Sequence, residues 1–327
     1  MILAGDIGGT KTLLALFSTD NETECIKKQQ FASSNYASFT DLLAEFIEDI
    51  DLKQLSACCL GVAGPIVNGD CITTNLPWRL LHQDIAAQLN ITKVDLLNDL
   101  AAIAWGILDL PEQDFVTLNP QSDWKQGNIA VLAAGTGLGE AIIAWDGHHH
   151  HVMATEGGHT DFAPNNEQEI ELLRYLMQKY PDHVSNERLI SGAEGLPNIY
   201  EFLKASGFAE PNPEVERQMQ VGDISAIIGN AGIAGIDELC VETLAIFCRL
   251  YGSEAGNLAL KCLPYSGVYL AGGIAAKILP FLKQSQFIER YLAKGRFKTL
   301  LETIPVRVCT HSEVGLLGAL YYAKQIK

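Results

Sequence analysis

Two stretches of the chain share one pattern of hydrophobic and polar positions. Residues 2–17 (ILAGDIGGTKTLLALF) are apolar on both sides of a Gly/Thr turn, and residues 129–145 (IAVLAAGTGLGEAIIAW) repeat this design about 127 residues later. Each stretch predicts an apolar strand, a tight turn and a second apolar strand. The repeat therefore predicts two similar α/β halves, each opening with a glycine-turned hairpin.

The segments between and after these hairpins predict further strands and helices. Apolar runs predict strands at 57–63, 94–97, 267–271 and 306–309. Helical periodicity predicts helices at 38–50, 80–89, 100–110, 166–179, 238–263, from 274 onward and at 314–327, and a capping box at 191–194 opens a helix to 203. Turn signals predict a hairpin at 68–69, a loop at 206–220 and an interdomain connection at 111–127, which holds two prolines.

Composition and charge narrow the class of protein. The 327 residues are 48% hydrophobic and 19% charged, as in an ordinary globular protein of one large or two medium domains. A net charge of −16 without a basic run argues against nucleic acid or an anionic membrane as a partner. We see no signal-peptide pattern and no apolar stretch near the ~18 residues of a membrane span. Eight cysteines without a C-x-x-C pair predict reduced thiols and a cytoplasmic location.

The dipeptide Asn98-Asp99 joins the predicted strand 94–97 to the predicted helix 100–110. A carboxylate there would lie at the carboxyl edge of a sheet, where open α/β folds bind ligands, and could accept a proton from a substrate hydroxyl. Asn and Asp are also preferred helix N-caps, and an acidic first turn suits the helix dipole. This stretch alone favours the cap; the glycine turns on either side of it favour a catalytic base.

The two glycine turns are more informative together than singly. The first nearly contains a Walker A motif, but Thr10 displaces the glycine before Lys11 and a strand follows instead of a helix, so a P-loop is rejected. Either turn alone is better explained as a tight hairpin. Two of them, with Asn98-Asp99 between, favour a cradle of glycine N–H groups and threonine hydroxyls for phosphate. Asp6 is placed to hold a Mg²⁺-bound water.

Four consecutive histidines at 148–151 follow a hairpin turn at Asp146-Gly147. They could bind a transition metal. Alternate residues of a strand point to opposite faces, however, and no cysteine or acidic residue is spaced to complete a site. A solvated hairpin is the stronger prediction.

Taken together, the motifs resemble those of bacterial glucokinases, in the hexokinase/actin/Hsp70 phosphotransferase superfamily, over nearly the whole chain. GDIGGT at 5–10 and AGTGLG at 134–139 are similar to the family's two phosphate motifs, and LAGGI at 270–274 to its adenosine motif. LLND at 96–99 resembles the segment that carries the catalytic aspartate. EGGHTDFAP at 156–164 and SNERLISG at 185–192 resemble the sugar-binding segments. Ala134, where close relatives often have glycine, is one departure.

The resemblance implies transfer of the ATP γ-phosphoryl group to the 6-hydroxyl of glucose, with ATP and Mg²⁺ bound. Asp99 would be the catalytic base, and Asn98, Glu156, His159 and Glu187 would also contact the sugar. The implied ATP-binding residues are Gly5, Asp6, Ile7, Gly8, Gly9, Thr10, Gly135, Thr136, Gly137, Gly272 and Gly273. Taken alone, His159 is better explained as a satisfied core histidine, and Glu187 could be a first-turn acid.

The family fold would be α/β, with two ribonuclease-H-like (actin-like ATPase) domains around a central cleft. Residues 1–110 would form a small domain, joined by the returning C-terminal helix in 311–327, and residues 111–310 the large one. The resemblance also implies a cytoplasmic homodimer that feeds glycolysis. Two alternatives stay open: a kinase for another hexose, and a non-catalytic sugar sensor on the same fold. Against these, no Cys-rich zinc motif follows His159, and a DNA-binding helix-turn-helix is not expected before Gly5.

Overall fold

The computed structural model describes residues 1–18, 24–73, 76–120 and 122–326. They form two compact α/β units, which we treat separately. The first unit comprises Met1–Glu112 and His311–Lys327, and the second comprises Gln113–Thr310. Within the described ranges, no helix combines the length and the apolar character needed to cross a bilayer.

Strands and helices alternate along the chain, and most of them lie where the sequence predicts. The strands are β1 (Ile2–Ile7), β2 (Lys11–Phe17), β3 (Cys25–Ala32), β4 (Ala57–Val62), β5 (Ile66–Val67), β6 (Asp70–Ile72), β7 (Arg79–Leu80), β8 (Val94–Asn98), β9 (Phe115–Thr117), β10 (Ile129–Ala134), β11 (Leu138–Trp145), β12 (His150–Thr155), β13 (Gly267–Ala271) and β14 (Val306–Cys309). The helices are α1 (Phe39–Ile47), α2 (His82–Leu89), α3 (Asp99–Asp109), α4 (Glu167–Lys179), α5 (Gly195–Ala205), α6 (Pro213–Met219), α7 (Ile224–Ala234), α8 (Glu238–Cys262), α9 (Gly272–Lys277), α10 (Leu279–Gln284), α11 (Phe287–Leu292), α12 (Lys298–Glu302) and α13 (Val314–Ile326).

The two units repeat one sheet topology. Among the described residues, the main sheet of the first unit has the order β3-β2-β1-β4-β8, and the sheet of the second has the order β12-β11-β10-β13-β14 with β9 added at its edge. In each sheet, neighbouring strands among the first three of this order are antiparallel. The next two strands run parallel to the third, which is β1 in the first sheet and β10 in the second. This shared order is the ribonuclease-H-like pattern, so the predicted α/β fold class is confirmed.

Both faces of the first sheet are covered by helices. Alternate residues of β1 point to opposite faces, so Leu3 and Ile7 pack with α1 and α2 while Ile2 and Ala4 pack with α13. Strands buried on both faces are continuously apolar, which explains why β1 and β4 have no polar alternation. In the second unit, α8 is the most buried helix, and its Tyr251 is fully enclosed.

Two glycines bring α3 and α13 into backbone contact. A Cβ atom on Gly318 would stand 1.7 Å from the carbonyl oxygen of Ala102, and one on Gly106 would stand 2.2 Å from that of Val314. Any larger residue would force the helices apart. The C-terminal helix, described to Ile326 because Lys327 lies outside the described residues, is thereby fixed against the helix that begins at Asp99.

Three local predictions were wrong, and one helix was missed. The predicted connection 111–127 contains β9, which pairs with β14 at the sheet edge. The predicted loop 206–220 contains α6, which starts with Pro213 at its first turn behind the N-cap Asn212. Helix α7 was not predicted. The N-cap of α5 is Glu194, while the hydroxyl of Ser191 instead accepts a hydrogen bond from the N–H of Gly195.

Candidate active site

The candidate acidic residues of the first unit lie at the carboxyl edge of its sheet. Asp6 stands near the end of β1, Asn98 ends β8, and Asp99 begins α3. Gly61 on the intervening strand β4 pairs in register with Asp6. A Cβ atom on Gly61 would lie 2.8 Å from the Cβ of Ala102 and 4.0 Å from the Cα of Asp99. Glycine at this position therefore lets the first turn of α3 lie directly against the sheet.

Asn98 supplies the N-cap of α3. Its Oδ1 accepts hydrogen bonds from the N–H groups of Leu100 (3.0 Å) and Ala101 (3.4 Å), and its Nδ2 donates to the carbonyl of Gly64 (3.1 Å). These contacts use most of the hydrogen-bonding capacity of the amide. The cap predicted for this dipeptide is thus confirmed, and Asn98 carries it.

Asp99 occupies the first turn of α3 and is electrostatically coupled to Asp6. Its Oδ1 accepts a hydrogen bond from the N–H of Leu100 at 2.9 Å. Burial raises the pKa of Asp6 to about 6, and the nearby negative charge of Asp99 adds to this shift. Two carboxylates at one sheet edge repel each other, so a cation or a proton is favoured between them.

The first glycine turn is a hairpin turn with an exposed tip. The N–H of Gly8 donates to the carbonyl of Lys11 at 2.9 Å, and the Ser33 hydroxyl donates to the carbonyl of Gly8 at 3.0 Å. Thr10 is exposed, and the turn residue Gly9 precedes it. Because β2 follows directly, the rejection of a P-loop is confirmed.

Packing within the first unit accounts for two of the predicted ATP-binding residues near this turn, Gly5 and Ile7. Gly5 lies inside β1, where a Cβ atom would stand 2.6 Å from a methyl of Leu60 and 2.7 Å from a methyl of Leu14. Ile7 is a buried core residue. The absence of a side chain at Gly5 therefore leaves room for the leucines of the neighbouring strands β4 and β2, whatever the turn binds.

Backbone hydrogen bonds from residues 192–193 hold the second glycine turn, residues 135–137, in place. The N–H of Gly135 donates to the carbonyl of Gly137 (2.9 Å), and the N–H groups of Gly192 and Ala193 donate to the carbonyls of Gly135 (2.8 Å) and Thr136 (3.1 Å). The carbonyls of Gly135, Thr136 and Gly137 therefore all accept backbone hydrogen bonds. No sequence motif indicates that residues 192–193 hold the turn, because the contact is made by backbone atoms alone.

The glycines of this turn have different surroundings. A Cβ atom on Gly135 would meet no atom within 4 Å, whereas one on Gly137 would stand 2.3 Å from Oε1 of Glu187. The predicted phosphate turn and one predicted sugar-binding carboxylate are therefore adjacent.

Gly272 and Gly273 begin α9 rather than preceding it. Gly272 has φ of +80°, a left-handed conformation that favours glycine. A Cβ atom there would stand 2.5 Å from the carbonyl oxygen of Ala134, at the end of β10. The adenosine-type motif thus lies beside the second glycine turn, so the structure brings these two predicted elements together.

The predicted sugar-binding residues of the second unit lie on two joined turns. Nδ1 of His159 is 3.2 Å from Oε2 of Glu187. The turns are held together because the N–H of Asn186 donates to the carbonyl of Thr160 at 2.9 Å. His159 is 57% exposed, so the alternative that it is a core histidine is wrong. Glu156 is also exposed, immediately before the turn.

Gly157 and Gly158 set these turns against β11. A Cβ atom on Gly158 would stand 2.0 Å from the carbonyl oxygen of Leu138, and one on Gly157 would stand 2.3 Å from Oε2 of Glu140. Sequence reasoning missed Glu140 as a neighbour of this turn. Its presence within an otherwise apolar strand was the available signal, since a lone buried carboxyl needs a partner.

The histidine run lies apart from these turns. His148 and His149 donate their backbone N–H groups to Oδ1 of Asp146 at 2.8 and 2.7 Å. His150 and His151 are the first residues of β12, so half of the run is strand rather than turn. Over the described residues, no group of three or more His, Cys, Asp or Glu side chains is close enough to share a metal ion.

Comparisons with known proteins agree over the full length of the chain. The family model for glucokinase matches residues 3–326. The glucokinase of Trichormus variabilis is 40% identical over 341 aligned residues, covering 100% of this chain and 99% of that protein. A solved glucokinase from an Antarctic psychrotroph matches with a TM-score of 0.83 and 29% identity, covering 99% of this chain and 98% of the other. A glucokinase from Balamuthia mandrillaris, solved in complex with glucose, matches with a TM-score of 0.83 and 25% identity, covering 99% and 93%.

Proposed function

The chain belongs to the glucokinase family, and from this premise we propose that it transfers the γ-phosphoryl group of ATP to the 6-hydroxyl of glucose, with Asp99 as the base. The role proposed for Asp99 rests on one observation: at the start of α3, Asn98 and not Asp99 provides the helix cap. Asn98 caps the helix, so a cap does not account for the carboxylate beside it. That carboxylate lies at the carboxyl edge of the sheet, the edge at which α/β folds bind ligands.

Asp99 would need to do little more than orient the sugar hydroxyl and accept its proton. Phosphoryl transfer proceeds through a loose transition state, so positioning and charge stabilisation do most of the work. Asp99 would orient the 6-hydroxyl and accept its proton late in the transfer. A carboxylate in that role typically contributes about 10²–10⁴-fold in rate.

The two glycine turns would bind the phosphates of ATP. Glycine allows the backbone to approach phosphate oxygens, and Thr10 and Thr136 would add hydroxyl donors. The exposed tip at Thr10 and the open space around Gly135 support this assignment. With a net charge of −16, the protein favours backbone amides over a cluster of Lys and Arg for holding a polyanion.

The residues at the sheet edge also fit Mg²⁺. This ion is usually held by one or two carboxylates, through water, together with substrate phosphates. The repulsion between Asp6 and Asp99, which contributes to the raised pKa of Asp6, is the kind of charge that a divalent cation would neutralise. Asp6 would hold the ion, and the ion would supply charge neutralisation at the transferring phosphoryl group.

The sugar would be held by Glu156, His159 and Glu187. A carboxylate can only accept a hydrogen bond, so from 3.2 Å a neutral His159 would donate through Nδ1 to Glu187, which would leave Nε2 to accept from a sugar hydroxyl. Glu156 and the second oxygen of Glu187 would accept from further hydroxyls. Such a site rejects analogues that lack a hydroxyl, because its polar atoms are then left unpaired. We further propose that the enzyme acts in glycolysis as a cytoplasmic homodimer.

A coupled ADP-release assay over a panel of hexoses and phosphoryl donors tests the proposal. We expect glucose with ATP and Mg²⁺ to give the highest kcat/KM, and omission of Mg²⁺ to abolish turnover. If another hexose is preferred by more than about tenfold, the chain is a kinase for that sugar. If no hexose releases ADP while glucose still binds, the protein is a sugar sensor on a kinase fold.

A further inference from the structure

Two buried carboxyl groups face each other beneath the candidate sugar-binding turns. Glu140 on β11 is 1% exposed and Glu254 on α8 is 2% exposed. Oε1 of each has no hydrogen-bond partner among the described residues. Unpartnered buried carboxylate oxygens are costly, and a proton shared between these two groups would satisfy both of them.

The charges around the pair favour a single shared proton. Burial raises the pKa of Glu140 to about 8, and the negative charge of Glu254 adds to the shift. The cations that act on the pair are Lys261, at 3.7 Å from Oε1 of Glu254, and Lys294. Tyr251 and Cys262 also face the pair, and both stay neutral because burial raises their pKa values. At pH 7, therefore, the Glu140 carboxyl keeps its proton and can donate it to Glu254.

Glu140 and Glu254 each contact one of the two turns. On one side, Oε2 of Glu140 lies directly under Gly157, and the Glu140 carbonyl accepts from the Thr155 hydroxyl (2.7 Å), which in turn accepts the N–H of Gly157 at 3.1 Å. On the other side, Oε2 of Glu254 accepts a hydrogen bond from Nδ2 of Asn186 at 3.0 Å. Gly157 follows Glu156 in the chain, and Asn186 precedes Glu187.

We propose that Glu140 and Glu254 are positioning residues for the sugar site: while they share one proton, they hold the turn of Glu156 and His159 at a fixed spacing from the turn of Glu187. The inference rests on the proposed function, since it concerns the sugar that those residues would bind. Loss of the shared proton leaves two buried like charges that repel each other. The turns above them then separate, and glucose binding weakens while the phosphate turns are unaffected.

The test is the pH dependence of the Michaelis constants between pH 7 and 9.5. For the wild type, KM for glucose should rise roughly tenfold above pH 8, the loss expected when one or two hydrogen bonds to the sugar are misplaced. KM for ATP and kcat should change much less. In Glu140→Gln the amide has no proton to lose and can still donate to Glu254, so KM for glucose should stay flat over the same range and lie within about threefold of the wild-type value at pH 7.

Glu169→Gln is the matched control. Glu169, in the first turn of α4, is also 2% exposed, but its carboxyl pairs with Arg290 and accepts hydrogen bonds from Asn165 and Asn166. This variant should keep the wild-type rise in KM. If Glu140→Gln fails to fold, Glu254→Gln makes the same test, because either amide removes the shared proton.

Four outcomes would overturn the proposal. A flat KM for glucose in an active wild type, or a wild-type rise that persists in Glu140→Gln, refutes the positioning role and leaves the proposed function standing. If KM for ATP and kcat change as much with pH as KM for glucose does, the pair stabilises the fold in general and does not position the sugar turns. A wild type that phosphorylates no glucose at any pH refutes the proposed function, and this inference with it.

Discussion

Replacing Asp99 by Asn separates a structural from a catalytic carboxylate. Asn keeps the shape of the side chain, and its oxygen can still accept the hydrogen bond that the N–H of Leu100 makes at 2.9 Å. The cap of α3 is untouched, because Asn98 provides it. The variant loses one acidic charge in a first helical turn, worth about 0.3–1 kcal/mol. Removing the repulsion on Asp6 offsets part of this loss, so the free energy of unfolding should change by less than about 1 kcal/mol.

The effect of Asp99→Asn on rate should be much larger than its effect on stability. An amide cannot take the proton from the 6-hydroxyl, and loss of a general base costs about 10²–10⁴ in rate, or about 3–5 kcal/mol of barrier. Glucose affinity should change little, because the amide still forms a hydrogen bond with the hydroxyl. The assay is turnover at saturating glucose and ATP, measured beside a melting curve of the same preparation.

Asp84→Asn is the control for Asp99→Asn. Asp84 is an exposed acid in the first turn of α2, so its replacement removes the same kind of helix-dipole contribution away from the candidate site. It should leave turnover unchanged. If Asp99→Asn retains turnover within a few-fold of wild type, the catalytic assignment is wrong. If turnover and melting temperature fall together, the carboxylate is structural.

Three further changes test the rest of the site. His159→Ala should weaken glucose binding by roughly 1–2 kcal/mol, the size of one or two hydrogen bonds; unchanged affinity in isothermal titration would remove it from the site. Gly135→Val should raise KM for ATP alone, whereas Gly137→Val should also raise KM for glucose because its side chain would displace Glu187; if neither raises KM for ATP, the turn does not hold phosphate. Replacing the histidines at 148–151 by Ser should leave turnover within about twofold, and a larger loss would give the run a role.

The parts of the fold that could be predicted are those with a long, regular pattern. The paired hairpins of residues 2–17 and 129–145 indicated the two similar halves, because their strands are mostly apolar and each turn is rich in glycine. Strand β9 has three residues, too few to show a period, and it exists because β14 offers it an edge. Helix α6 begins at Pro213 behind the N-cap Asn212; Pro211 and Pro213 had indicated a loop, although proline is common in a first helical turn.

For the candidate site, the sequence indicated individual residues but not which distant residues meet. Asn98-Asp99 indicated both a cap and a carboxylate, but only the structure assigns the cap to Asn98. Nothing in the local sequence of Glu140 names its partner Glu254, which lies on another element far along the chain. The contact between Gly137 and Glu187 likewise depends on how two loops fold onto each other.

The glycine contact between α3 and α13 also sets an order of events during synthesis. Helix α13 emerges from the ribosome about 200 residues after α3, roughly 10–40 s later at translation rates of about 5–20 residues per second. Throughout that interval Ala102 and Gly106 lack the backbone that will cover them. The second unit, Gln113–Thr310, is complete in the chain before α13 is made, whereas the first unit is not. A nascent chain arrested before α13 should resist protease within Gln113–Thr310, be digested in its first hundred residues, and phosphorylate nothing.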